Sequence, residues 1–298
     1  MPTARANGIE ICYETLGDTN KPAMLLVMGL GAQMTMWPID FCRQLADRGY
    51  FIIRYDNRDV GLSTKFEGVS VELIPPSKPG DRLSIAGKPP YTLSDMANDG
   101  IGLLDALGIR QAHIVGASLG GTIVQRMAAE HPERILSMTS IMSTTGNPQV
   151  GMGKPEAMAA LFTPAPSERQ ANIEHSITVG RLVSGPLFDE ERTRRLAGDR
   201  FDRSFYPQGI ARQMAAAVAD GDRTKLIASI KCPTLVIHGR VDPLVGLSGG
   251  EATAKAIPRA ELLVLDQMGH DLPEPLWPEL VSAHHRSGRA QLSLLNDI

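Results

Sequence analysis

The sequence predicts an α/β protein: a mostly parallel sheet with helices on both faces, interrupted by one helical insertion. Three observations carry this prediction. Short apolar runs rich in β-branched residues alternate with runs of helical period up to residue 142 and again after residue 229. Between them, over 143–228, there is no convincing strand, only helical patterns punctuated by Pro148, Pro155, Pro164, Pro166, Pro186 and Pro207. Finally, Gly116-Ala117-Ser118-Leu119-Gly120 stands between an apolar run, Ala112 to Val115, and a helix-forming run, Thr122 to His131, that Pro132 ends. A strand, a sharp turn and a helix therefore meet at one serine. These boundaries divide the chain into a core, 1–142 with 229–298, and an inserted lobe, 143–228.

Taken in order, residues 8–16 alternate apolar and polar side chains, as a half-buried antiparallel edge strand does. Ala23 to Met28 is a continuous apolar run and reads as a buried strand. Gly29 and Gly31 follow it, where main-chain N–H groups can approach a ligand closely. Pro38 opens a helix whose Ile39, Cys42, Leu45 and Ala46 keep helical spacing, with Gly49 as its stop. The strand Phe51–Tyr55 ends in Asp56-Asn57-Arg58-Asp59-Val60-Gly61, a polar turn whose charges are read as fixing its own backbone.

Residues 64–91, with Pro75, Pro76, Pro79, Gly80, Pro89 and Pro90, read as a long connection without regular structure, either covering the mouth of a site or running over the surface. Thr92 and Asp95 form a capping-box pattern at the head of a helix that Gly108 closes. Ile135–Met142 is a further strand. In the insertion, Met152, Met158, Leu161, Phe162, Leu182, Phe188, Phe205, Tyr206 and Met214 supply apolar material, most of it for a local core and the rest for a pocket. The alternation resumes with a strand at 233–239, a helix near 248–256, a strand at 261–265 and a last helix from about Pro273.

Composition narrows the partners. The formal net charge is −3, and no block of like charges stands behind it, so nothing marks a nucleic-acid or anionic-membrane surface. The first residues hold no apolar leader, and the longest apolar stretch, Ala23 to Ala32, is broken by glycines and too short to span a bilayer. A cytoplasmic protein is expected. Cys12, Cys42 and Cys232 are widely spaced, without metal-ligand spacing, and read as reduced thiols. No metal or cofactor is expected, and the oligomeric state, monomer or homodimer, is left open.

Ser118, Asp242 and His270 each follow a predicted strand at its carboxyl end, in that chain order. With the Gly-Ala-Ser-Leu-Gly-Gly of 116–121, the His-Gly-Arg-Val-Asp of 238–242 and the Met-Gly-His of 268–270, this order resembles the α/β-hydrolase fold family over nearly the whole chain. Met28-Gly29-Leu30-Gly31 and Arg54-Tyr55-Asp56 look like the aclacinomycin methylesterase group within that family. The resemblance implies a serine nucleophile, Ser118, with His270 as base and Asp242 as its orienting acid. It also implies oxyanion donors in the backbone N–H groups of Leu30 and Leu119, and the insertion becomes a lid-like cap. Met28 stands where many relatives carry histidine; main-chain donors survive that change, but a hydrogen bond by which such a histidine braces the loop does not.

The chemistry accounts for these residue types: a serine hydroxyl is a poor nucleophile until an imidazole takes its proton, and the imidazole needs a carboxylate to orient it and offset its charge. Asp266 and Asp271 are rivals for that carboxylate, but lie too near His270 in sequence to reach the far side of its ring. The implied reaction is hydrolysis of a small-molecule carboxylic ester, thioester or lactone through an acyl-enzyme. C–C bond hydrolysis and perhydrolysis use the same three residues and are the alternatives, with a receptor of little turnover behind them.

Overall fold

The computed structural model describes residues 1–74 and 83–284. Strand β1 (Thr3–Ala6) pairs antiparallel with β2 (Ile9–Leu16), and β2 pairs antiparallel with β4 (Phe51–Tyr55). From there the sheet is parallel: β3 (Ala23–Val27), β7 (Ala112–Ala117), β8 (Ile135–Ile141), β9 (Thr234–Gly239) and β10 (Glu261–Leu265). The order across the sheet is β1-β2-β4-β3-β7-β8-β9-β10. An antiparallel edge on a buried parallel centre is what the alternating pattern of 8–16 and the continuous apolar run after it predict.

The centre of the sheet is covered on both faces because its strands are apolar on both. Leu25 and Val27 of β3 point to one side, where they join Ile53, Ile114 and the helices α2 (Leu93–Ala106) and α3 (Leu119–Glu130). Met24 and Leu26 point to the other and meet Phe41 and Leu45 of α1 (Ile39–Asp47), with Trp277 and Leu280 of the helical segment at 277–284. Full burial of each such side chain is worth about 1.5–3 kcal/mol. Helix α2 begins as its sequence predicts: Asp95 N–H donates to Thr92 Oγ1 and Thr92 N–H to Asp95 Oδ2, at 3.1 and 2.8 Å.

The 64–91 connection departs from expectation. It contains an antiparallel hairpin, β5 (Glu72–Ile74) and β6 (Ser84–Ala86), packed on helix α7 (Gln208–Asp220). Strands of three residues are too short to show a period, so the prolines dominated the pattern. Pro75, Pro76, Pro79 and Gly80 lie outside the described residues, as does the tail from 285.

Between β8 and β9 the chain is helical, as expected: α4 (Pro155–Phe162), α5 (Arg169–Val183), α6 (Glu190–Arg203), α7 and α8 (Thr224–Ile227). Its apolar material is used differently from the prediction. The small local core consists of Ile173, Ile177 and Ala197 with Phe188 against them, while Met152, Phe162 and Leu182 are exposed. The last helix, α8, packs against α3 and α9 (Ser248–Ala256), and Ile227 belongs to the core on that face of the sheet.

Two histidines lie in this interior. His113 Nδ1 meets Ser137 Oγ at 2.7 Å, and His284 Nδ1 meets Thr139 Oγ1 at 3.0 Å. Burial pushes both down to about 4. Because the folded values lie below the ordinary ~6.5, the stability they contribute is complete above about pH 6.5 and is lost as the pH falls toward 4. Within that window each histidine costs up to about 1.4 kcal/mol per pH unit. Urea-unfolding midpoints should therefore fall between pH 6.5 and 5, before most carboxylates titrate, and the fall should flatten in a His113→Asn, His284→Asn double variant. An equally steep fall in that variant would assign the loss to other groups.

Candidate active site

The sheet delivers three loops to the carboxyl ends of β7, β9 and β10, and each carries one side chain of the site. Ser118 closes β7 and opens α3 at φ 55°, ψ −120°, a conformation that a residue with a side chain adopts only under constraint. The constraint is close packing that glycine alone permits. A Cβ on Gly116 would land on the Gly120 main chain, and one on Gly120 would land on the Val27 carbonyl. Gly29, from the loop after β3, presses on the serine itself: a Cβ there would lie 3.0 Å from Ser118 Cβ and 3.5 Å from its Oγ.

His270 lies four residues past the Asp266 that follows β10, its main-chain N–H donating to Val183 O at the end of α5 at 2.7 Å. Its Nε2 is 2.9 Å from Ser118 Oγ and its Nδ1 is 2.8 Å from Asp242 Oδ2. The other Asp242 oxygen, Oδ1, accepts the N–H groups of Leu244 and Val245, both at 2.9 Å. The carboxylate is thereby locked with one oxygen on its own turn and the other on the imidazole. That network puts a proton on Nδ1 and leaves the Nε2 lone pair facing the serine hydroxyl, an assignment made from the bonding partners.

The rivals are engaged elsewhere. Asp266 pairs with Arg240 at 2.6 Å on the surface, and Asp271 accepts the N–H of Gly269 at 3.2 Å. His238 is also near, with Nε2 3.6 Å from Asp242 Oδ2 and 2.8 Å from Val245 O. Burial pulls its pKa down, against the opposing pull of the Val245 carbonyl and Asp242, so it stands as a neutral donor to that carbonyl.

The loop after β3 packs against the serine through Gly29. Leu30 follows Gly29, and Leu119 is the first residue of α3, where an N–H has no acceptor within the helix. The next donor, Gly31 N–H, is already taken by Gln213 Oε1 at 2.8 Å. Gln213 is fully buried on α7, and its Nε2 donates to Arg58 O at 2.8 Å. Asn57 Nδ2 donates to Met28 O at 2.9 Å, and Met34 N–H donates to Asp56 Oδ1 at 2.8 Å. These residues supply the brace that Met28 cannot.

The Asp56–Asp59 turn is structural, as read from the sequence, but its reach is longer than its own backbone. Arg58 forks onto Asp99 at 2.6 Å through both Nε and Nη2. Asp59 holds Arg212 of α7 at 2.8 Å, accepts the Tyr91 hydroxyl at 2.7 Å and accepts the N–H of Phe66. Burial alone would raise the Asp59 pKa, but those donors outweigh it and hold it below the ordinary carboxylate value. Gln213 had no signal in the sequence: a glutamine within an amphipathic helix reads as a solvent-facing residue, and only the packing of α7 on the loop turns it inward. Among the described residues, no group of three His, Cys, Asp or Glu side chains is placed to hold a metal ion, and no helix is long and apolar enough to cross a membrane.

A serine on a strained strand-to-helix turn, an imidazole at its hydroxyl and a carboxylate behind the imidazole, all at the carboxyl edge of a parallel sheet, are the arrangement of a serine hydrolase. The chain belongs to the alpha/beta hydrolase fold family, whose model matches residues 22–274. Among relatives, it is 29% identical to rhodomycin D methylesterase of Streptomyces sp. (strain C5), covering 96% of this chain and 99% of that protein. It is 27% identical to 3-oxoadipate enol-lactonase 2 of Acinetobacter baylyi, over 89% of this chain and 88% of the relative. Among solved structures, the meta-cleavage product hydrolase of Pseudomonas fluorescens IP01 superposes with a TM-score of 0.72 at 21% identity, covering 100% of this chain and 98% of that one. At that identity the likeness is one of fold.

Proposed function

We propose that this protein hydrolyses carboxylic esters of small molecules through an acyl-enzyme on Ser118. The observation that carries the reading is the unbroken hydrogen-bonded series from Ser118 Oγ through the His270 ring to Asp242, with bonds of 2.9 and 2.8 Å. Ser118 Oγ attacks the ester carbonyl as His270 Nε2 takes its proton, and Asp242 offsets the charge of the imidazolium. The N–H groups of Leu30 and Leu119 hold the oxyanion that forms. His270 then protonates the departing alkoxide. A water molecule, activated by the same imidazole, attacks the acyl-enzyme and returns the free acid and Ser118.

No cofactor enters this sequence of steps; water is the second substrate. Residues 143–228, chiefly α4–α7, act as a cap. Two contacts support that reading, since the insertion meets two of the loops that build the site: Val183 O holds the main chain of His270, and Gln213 holds Gly31. The cytoplasm is the proposed location, in keeping with three free thiols.

The relatives named above act on a methyl ester and an enol-lactone, so methyl esters and small lactones are the first substrates to try, beside a p-nitrophenyl ester series of rising acyl length. Saturable hydrolysis by the wild-type protein that disappears in Ser118→Ala is the expected result. Hydrolysis that persists in Ser118→Ala, or a wild-type protein inert toward every ester, would redirect attention to C–C substrates.

A further inference from the structure

A cavity of about 170 Å³ lies between the loop after β3 and the insertion helices, lined by Gly31 on one side and by Asn172, Arg200, Phe201, Phe205 and Ile210 on the other. That volume is far above the ~10–15 Å³ that admits a single water. Its position ties it to the catalytic serine. Gly29 packs on Ser118, and Gly31 is two residues further on, so their Cα atoms are at most about 7.6 Å apart.

Arg200 is the single charged side chain in the lining. Three other arginines of α6 and α7 have carboxylate partners: Arg194 with Glu174 and Glu190, Arg203 with Asp56, Arg212 with Asp59. Among the described residues Arg200 meets no carboxylate. Its Nε donates to Leu196 O at 3.1 Å, and its two terminal nitrogens meet no acceptor among the described residues. Burial lowers its pKa with no acidic neighbour to offset the effect. Arg200 is half-buried; a guanidinium at a cavity wall without a counter-ion is open to an anion, and its planar fork is shaped for the two oxygens of a carboxylate.

We propose that Arg200 receives an ionised carboxylate of the substrate, so that the preferred esters are acidic ones, such as half-esters of short dicarboxylic acids. This rests on the ester-hydrolase reading. The ester carbonyl sits at Ser118 and the second carboxylate, several bonds away, reaches past Gly31 to the guanidinium. Phe201, Phe205 and Ile210 cover the intervening methylenes.

The test compares monomethyl adipate with its neutral carboxamide counterpart, methyl adipamate, and repeats the pair one methylene shorter and longer. The wild-type protein should favour the acid at its best length by about tenfold or more in kcat/KM, expressed mainly in KM, as charge-assisted bonds of this kind predict. In Arg200→Gln the acid-to-amide ratio should collapse toward one, and Arg200→Lys should restore part of it. Binding of adipate to the Ser118→Ala protein, followed by calorimetry, should weaken by a similar factor when Arg200→Gln is added.

A ratio near one in the wild type at every length, or the same ratio in wild type and Arg200→Gln, overturns the proposal. The calorimetric arm separates the two readings. If no ester is hydrolysed yet adipate binds in an Arg200-dependent way, the carboxylate site stands and the hydrolase reading falls. If esters are hydrolysed without regard to charge, the reverse holds.

Discussion

Asp242→Asn is expected to lower kcat by about 10³–10⁴-fold while leaving the fold intact. The size follows from how the carboxylate is held. Oδ1 accepts the N–H groups of Leu244 and Val245, so in the variant the amide oxygen must take that position, and the amide NH₂ is forced toward His270. His270 Nδ1, 2.8 Å away, then has to accept a hydrogen bond where it donated one. The ring proton moves to Nε2 and faces Ser118 Oγ as a donor, leaving no base for the hydroxyl. KM should change little, because no contact with the substrate is lost. Ser118→Ala and His270→Ala should cost at least as much, and the double variant no more than either, since the residues act as a unit. A kcat within tenfold of wild type for Asp242→Asn, with the fold verified, would mean that another group orients the imidazole.

The largest effect on stability should come from Arg212→Met, at about 3–5 kcal/mol, the usual cost of leaving one half of a buried ion pair alone. The Arg212 and Asp59 side chains are 5% and 0% exposed, and the guanidinium meets both carboxylate oxygens at 2.8 Å. In the wild type the folded Asp59 pKa lies below its unfolded value, so its contribution is present above about pH 4 and is lost as the pH falls through the folded value. Without Arg212, burial raises the Asp59 pKa, the sign reverses, and the deficit of the variant should shrink as the pH is lowered. Adding Asp59→Asn should recover part of the loss at neutral pH. Urea unfolding at several pH values checks each point, and a loss under about 1 kcal/mol would show that α7 is anchored by other contacts. Because Gln213 follows Arg212 on α7, the damaged variant should also show a lower kcat through the loop that carries Leu30.

Much of this architecture is legible in the residues. The β-branched runs, the capping box at Thr92 and the glycines around Ser118 encode local geometry, and local geometry is what a sequence displays directly. Asp242 could be separated from Asp266 and Asp271 because loop order and the reach of an imidazole ring decide between them. The three-residue strands β5 and β6 were hidden, since a pattern needs more than one repeat to be seen. Met152 and Phe162 are exposed, not part of a local core, which stays hidden for a related reason: an apolar side chain in a helical lobe has no assigned face until its partners are known. Gln213, Asn57 and Arg200 belong to the same class. Each is polar, and its role arises from a neighbour more than a hundred residues away for Gln213, from a main-chain carbonyl for Asn57, and from the lack of a carboxylate partner among the described residues for Arg200.

The central claim is that Ser118 is the nucleophile and His270 activates it. Intact-mass measurement after exposure to a fluorophosphonate, followed by peptide mapping, tests this directly. The account predicts one adduct per chain, located on Ser118, absent from Ser118→Ala and formed at least about a hundredfold more slowly in His270→Ala. An adduct on a different residue, or rapid labelling of Ser118 without His270, would contradict it.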